Sequence, residues 1–134
     1  MATQPTLFIP PIDVFHDRST SVTFDLYAAD GTPAAFQSAD TFRFKVWDTD
    51  GASPDIDADE SGTESRVEVV DLGVAGVTPA RVRCHFHESQ TTGLTVGTEY
   101  NFELLVWDDS ESKNVTICKG PLVVNGTAAG NVGA

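Results

Sequence analysis

Hydrophobic and polar residues alternate along most of this chain. In residues 20–28, Val22, Phe24 and Leu26 fall on one side, with polar residues between them. The same period of two occurs in residues 41–48, 65–73 and 80–88. Because successive side chains of a strand point to opposite faces, these segments predict strands with one buried face and one wet face.

The C-terminal part of the pattern differs, because residues 99–108 are apolar on both faces near their end. This is typical of a central strand, or of a strand that faces a second layer or a partner, and residues 114–124 complete the series. Turn sequences separate the segments, and only residues 87–94 suit a short helix. The pattern therefore predicts an all-β fold, a single antiparallel β-sandwich of immunoglobulin-like type that spans residues 18–124.

The two ends of the chain are expected to behave as flexible arms. We assign residues 1–17 to an N-terminal arm and first strand, and the Gly/Ala-rich residues 125–134 to a flexible tail. Such arms gain order when they pack on a neighbouring subunit. The sequence thus suggests six terminal residues as partner contacts: Leu7, Phe8, Ile9, Ile12, Asn125 and Val132.

Charge restricts the partners that this chain can take. Its 134 residues include 20 acidic and 8 basic ones, which give a net charge of −12 and a pI of about 4.3. A field of this sign repels nucleic acid and anionic membranes, so we expect neither as a partner. The N-terminus lacks the features of a secretory signal, so we expect synthesis in the cytoplasm.

Two cysteines, Cys84 and Cys118, both occur in strand-like segments. A disulfide between the two strands is geometrically possible, but buried free thiols are the commoner state in a reducing compartment. We therefore expect free thiols.

An acidic segment, residues 48–64, carries no Lys or Arg. Its D-x-D-x-D run from Asp55 to Asp59 has the spacing that opens an EF-hand loop. However, Glu60 stands where Gly is needed, and Arg66 stands where a bidentate Glu is needed. A looser calcium site would have four weak candidates: Asp48, Asp50, Asp57 and Glu60. We favour a solvated connection between strands that holds no metal.

Two histidines, His85 and His87, fall on the same face of one predicted strand, about 7 Å apart. No carboxylate or thiol occurs at the spacing that would complete a metal site with them. Together with Arg81 and Arg83 they form an outward face that can meet another subunit. The sequence also lacks motifs for nucleophilic, metal or phosphate chemistry, so we predict a protein that is not an enzyme and needs no cofactor.

Trp47 and Trp107 fall opposite the main apolar rows of their strands. An exposed Trp can anchor a partner or stack on a sugar ring, whereas a Trp covered by a second layer supports the fold. We favour the covered alternative, but keep both residues as partner-contact candidates. A stand-alone carbohydrate-binding or calcium-dependent binding sandwich is accordingly an alternative function.

The second half of the chain has a particular order of turns and strands. A strand leads into a polar turn, then into an aromatic strand that ends in acidic residues, and then into a last strand. The residues that carry this order are Thr92, Leu94, Gly97, Thr98, Tyr100, Asp108, Thr116, Gly120, Leu122 and Val124. In this order the chain resembles a small β-sandwich domain of tailed-bacteriophage virion proteins, related to the N-terminal domain of phage baseplate upper proteins.

The resemblance covers about residues 18–124, and the acidic segment and the Gly/Ala tail depart from it. It implies a virion structural protein that has no catalytic residues. We expect a capsid decoration (cement) protein that stabilises the head and binds the major capsid protein or other virion proteins. We expect homo-oligomers on the particle, and a small tail or baseplate adaptor is the alternative within this class.

Overall fold

The computed structural model describes residues 7–28, 30–48 and 54–126, with the backbone alone for residues 7 and 8. The elements are β1 Leu7–Phe8, β2 Ile12–Phe15, β3 Thr20–Leu26, β4 Thr41–Trp47, β5 Ile56–Asp59, β6 Arg66–Asp71, β7 Ala80–Phe86, α1 Glu88–Thr91, β8 Glu99–Asp108 and β9 Lys113–Asn125. No helix in the described ranges is long and apolar enough to cross a membrane.

The predicted all-β fold is confirmed, and burial follows the alternation of the sequence. In β4, Phe42, Phe44 and Val46 are buried, and the residues between them are exposed or half-buried. β8 has one buried face and one that is mostly half-buried. It lies between β4 and β9, so the prediction of a central strand is also confirmed.

The strands form two sheets. The larger has the order β1-β9-β8-β4-β5, with β2 also paired to β9, and the smaller has the order β3-β7-β6. Most neighbours are antiparallel. The expectation of purely antiparallel pairing is wrong at one edge, because β1 and β2 both run parallel to β9.

The N-terminal segment belongs to the larger sheet. β1 begins beside Cys118, and β2 lies beside residues 122–125. Two prolines separate β1 from β2, and a proline lacks the N–H that a ladder needs. Residues 7–15 therefore include paired strands, in agreement with the first strand expected within residues 1–17. Residues 1–6 and 127–134 of the expected arms lie outside the described residues.

Gly120 allows the N-terminal segment to lie close to β9. The Ile9 N–H donates to the Lys119 carbonyl oxygen at 2.9 Å. A Cβ at Gly120 would lie only 2.7 Å from the Ile9 carbonyl oxygen, closer than real Cβ contacts come. A side chain at this position would therefore push the segment away from the sheet.

The two sheets pack through their apolar faces. Phe24 stacks on Phe102 with ring centroids 5.8 Å apart, and Phe86 lies 4.8 Å from Phe44. Each pair joins one sheet to the other, so the core lies between the sheets. Cys84 and Cys118, one from each sheet, are buried in this core as free thiols.

Candidate functional site

The outward face of the smaller sheet carries the predicted basic residues, and Arg81, Arg83 and His85 are each close to a carboxylate. Arg81 Nε lies 2.7 Å from Asp25 Oδ1, and Arg83 Nη1 lies 3.5 Å from Glu68 Oε1. His85 Nε2 lies 2.8 Å from the same Glu68 oxygen. Hydrogen bonding to His85 lowers the pKa of Glu68, and hydrogen bonding to Arg81 lowers the pKa of Asp25. The face therefore presents mixed charge and is not a cationic patch.

Ser21, His85 and Glu68 form a continuous polar chain across β3, β7 and β6. Ser21 Oγ lies 2.8 Å from His85 Nδ1, and Glu68 Oε1 lies 2.8 Å from His85 Nε2. A histidine between a hydroxyl and a carboxylate can activate a serine nucleophile. Catalysis also needs oxyanion donors and a site that excludes water, whereas Ser21 is exposed on an open sheet face. We interpret the chain as cross-strand bonding that helps to hold the register of the smaller sheet.

His87 has a different role from His85. It caps the start of α1, where its Nδ1 accepts a hydrogen bond from the Ser89 N–H at 3.1 Å. The Ser89 hydroxyl donates to Glu64 at 2.6 Å, which joins the helix to the segment before β6. Within the described ranges, no three His, Cys, Asp or Glu side chains are grouped as metal ligands would be.

The weak calcium candidates serve other partners where their contacts are described. Asp57 lies on β5 and forms an ion pair of 3.1 Å with an arginine of β4. Glu60 Oε2 accepts a hydrogen bond from the Phe42 N–H at 2.8 Å. Asp48 is exposed just after β4, and Asp50 lies outside the described residues. That the acidic segment 48–64 binds no calcium stays a prediction.

Trp47 and Trp107 share the outward face of the larger sheet but lie far apart. Trp47 pairs with Asn101 and Trp107 pairs with Thr41, at opposite ends of β4. The strand between them spans about 20 Å, so one sugar ring cannot stack on both. Trp47 is half-buried, whereas Trp107 is 37% exposed. The covered alternative is therefore wrong for Trp107.

A cleft of about 450 Å³ opens beside Trp107. It forms where β5 ends at Asp59 while β4, β8 and β9 continue. Thr41, Trp107 and Asn114 make one row across these strands, and Asp59, Arg43 and Leu105 make the next row. The sequence pattern did not reveal this cleft, because the cleft depends on where β5 stops relative to its neighbours. An outward Trp107 was the only signal of it in the sequence.

The terminal partner-contact candidates separate into core and surface residues. Ile12 is 6% exposed, and Ile9 packs against the core, so both support the fold. Contact of Ile12 with a partner stays a prediction. Asn125, half-buried at the end of β9, donates its side-chain N–H to Asp13 at 3.1 Å. Val132 lies outside the described residues.

Comparison with known proteins adds no family to this description. No family model matches the chain, and no curated protein matches it. The resemblance to phage virion proteins over about residues 18–124 therefore stays a prediction.

Proposed function

We propose that this chain is a non-enzymatic structural protein of a tailed-phage virion, and that it decorates the capsid as a cement protein. The course of the two chain ends is the observation that supports this most. β1 begins at Leu7, beside Cys118, and β9 ends at Asn125. These points lie about 25 Å apart along one edge of the larger sheet. The two ends of this sheet edge can thus contact two different neighbours on a particle.

The architecture is consistent with this proposal. The chain changes sheet between β2 and β3, β3 and β4, β5 and β6, and β7 and β8. Such crossings are typical of Greek-key sandwiches. We therefore propose that the two sheets form an immunoglobulin-like sandwich, the kind of domain that the resemblance implies.

The charge of the chain supports binding to a larger basic surface. A net charge of −12 limits association between free copies and favours a partner with exposed Lys and Arg. The major capsid protein is the partner that a decoration protein requires. Many copies on one shell add avidity, so each contact can be individually weak.

Quantitative mass spectrometry of purified virions tests the proposal. A copy number in fixed ratio to the capsid subunits supports the decoration protein. A copy number that matches the symmetry of the tail ring supports the tail or baseplate adaptor instead. Absence of the protein from virions would overturn both forms of the proposal.

Terminal deletions test the role of the chain ends. We expect removal of residues 1–6 or of residues 127–134 to lower occupancy on particles and to leave the unfolding midpoint unchanged. Removal of residues 1–14 is not an equivalent test, because it takes away β1 and most of β2 and so damages the fold. Unchanged occupancy after both short deletions would contradict the proposed contacts.

The polar chain at Ser21 offers a test of the non-enzymatic part of the proposal. We expect a fluorophosphonate probe, which labels activated serines, to leave the native protein unlabelled. Stoichiometric labelling that disappears in Ser21→Ala and in His85→Ala would show an activated nucleophile and would contradict the proposal.

A further inference from the structure

The bottom of the cleft beside Trp107 is formed by the larger sheet, and one of its sides is formed by the turn that follows β5. Beyond Asp59 the chain leaves the sheet, and the Asp59 carboxylate accepts hydrogen bonds from the Ser61 N–H at 2.9 Å and from the Ser61 hydroxyl at 2.8 Å. The Phe42 N–H on β4 has no hydrogen-bond acceptor on β5 and donates instead to the Glu60 carboxylate. The turn is therefore bonded to itself and to β4, so the cleft exists before any ligand binds.

The polar groups of the cleft are held in place by one another. Arg43 Nε lies 3.1 Å from Asp57 Oδ1, and Arg43 Nη2 lies 3.7 Å from Asp59 Oδ2. The hydrogen bonds from Ser61, followed by the charge of Arg43, lower the pKa of Asp59 and keep it ionised. Groups that are already oriented lose little conformational entropy when a ligand binds.

The chemistry of the cleft combines an aromatic surface with donors and acceptors. Trp107 is 37% exposed, and its row neighbour Asn114 is exposed as well. Arg43 offers N–H donors, Asp59 offers acceptors, and Asn114 offers both. A pyranose ring has a face of C–H groups that stacks on indole, and hydroxyl groups at its rim that need donors and acceptors together. The cleft volume of about 450 Å³ lies within the range of small-ligand sites.

The charge around the cleft restricts the sugar. Two carboxylates, Asp59 and Glu60, stand beside one guanidinium, Arg43, and the whole chain carries −12. An anionic sugar would be repelled by this balance. The binding of a neutral sugar ring is not opposed by this electrostatic repulsion.

We propose that the cleft beside Trp107 binds a neutral pyranose of an oligosaccharide or polysaccharide. The indole of Trp107 stacks on the sugar ring, and Asp59, Arg43 and Asn114 bind its hydroxyl groups. This site is independent of the chain ends that support attachment to a particle. It therefore stands or fails separately from the proposed function.

A glycan array and a titration test the proposal. The array presents neutral glycans built on glucose, galactose and mannose beside sialylated and uronic glycans. Free neutral trisaccharides of the bound series then compete with the array, which separates recognition of short sugars from recognition of immobilised polysaccharide. We expect binding to at least one neutral series and none to the anionic ones.

Matched variants locate the site. We expect Trp107→Ala to weaken binding by about tenfold or more, which is the typical effect of removing an aromatic anchor. Asn114→Ala should weaken it by a smaller factor. Trp47→Ala is the control, because Trp47 lies on the same face about 20 Å away, and it should change the affinity less than about twofold. In Trp47→Phe, the fluorescence of Trp107 should change as the sugar is added.

Three results would overturn the proposal. One is the absence of binding to any neutral glycan by the folded protein. The second is binding that Trp107→Ala and Asn114→Ala both leave intact. The third is binding that is lost in Trp47→Ala. If circular dichroism shows that Trp107→Ala does not fold, the affinity of Asn114→Ala and the fluorescence of Trp107 in Trp47→Phe still show whether the sugar binds in this cleft.

Discussion

Gly73 and Gly76 show how single residues hold the loops at one end of the smaller sheet. Both have left-handed backbones, with φ of +84° and +72°. A Cβ at Gly73 would lie 2.7 Å from both the Ala34 carbonyl oxygen and the Ala80 nitrogen, whereas nothing lies within 4 Å of one at Gly76. The two glycines thus share a conformational requirement and differ in their surroundings.

This difference predicts unequal costs for one substitution. We expect Gly76→Ala to lower the free energy of unfolding by about 1 kcal/mol, because only the left-handed conformation is penalised. Gly73→Ala should lower it by about 3 kcal/mol, since the new methyl group also overlaps fixed backbone atoms. Urea unfolding of both variants measures the difference. Equal losses would mean that the backbone around Gly73 yields easily.

At the scale of elements, the second strand decides how the N-terminal segment contributes to stability. β2 runs parallel to β9, and its Val14 is fully buried while its Phe15 is 42% exposed. The strand therefore presents one side to the core and one side to solvent, as the inner strands do. β2 is parallel to β9 because the chain from Leu7 to Phe15 runs along β9 in one direction, with β1 and β2 pairing in succession.

A pair of substitutions in β2 tests whether this edge strand is part of the cooperative fold. We expect Val14→Ala to lower the free energy of unfolding by about 2 kcal/mol, through lost burial and the cavity that remains. Phe15→Ala, the neighbouring control on the solvent side, should cost less than about 1 kcal/mol. If Val14→Ala costs no more than Phe15→Ala, the N-terminal segment is not part of the cooperative unit.

At the scale of the whole molecule, two thiols report on the contact between the sheets. Burial raises the pKa of Cys118 to about 12, and burial and the neighbouring Cys118 raise the pKa of Cys84 further. Only the thiolate reacts with a disulfide reagent, so both thiols are protected by exclusion from water and by their protonation. Reaction requires that the two sheets separate.

We therefore expect Ellman's reagent at pH 8 to titrate neither Cys84 nor Cys118 in the native protein and both in the unfolded protein. Across a urea series, the midpoint of thiol exposure should coincide with the midpoint from circular dichroism, since a small domain unfolds in one step. Rapid reaction of one thiol without urea would indicate that the sheets open locally.

The sequence alone was sufficient for most of the strands and their buried faces, but not for β5. This strand lies inside the acidic segment 48–64, so the expected solvated connection is wrong for residues 56–59. Alternation is a local property, because each side chain of a strand points away from its neighbours, so residues 20–28, 41–48 and 80–88 predicted β3, β4 and β7 closely. The apolar character of both faces of residues 99–108 likewise predicted a central strand. The outward position of Arg81, Arg83 and His85 follows from the same alternation.

The tertiary structure decided which strands become neighbours and what their outward residues meet. The parallel pairing of β1 and β2 and the ion pairs of the smaller sheet join residues that are far apart in sequence. So does the cleft beside Trp107, which exists because β5 is shorter than β4. Local alternation is the same whichever partner a strand takes, and it restricts the register between distant segments only to steps of two residues. For this reason the faces were predictable, and the site on one of them was not.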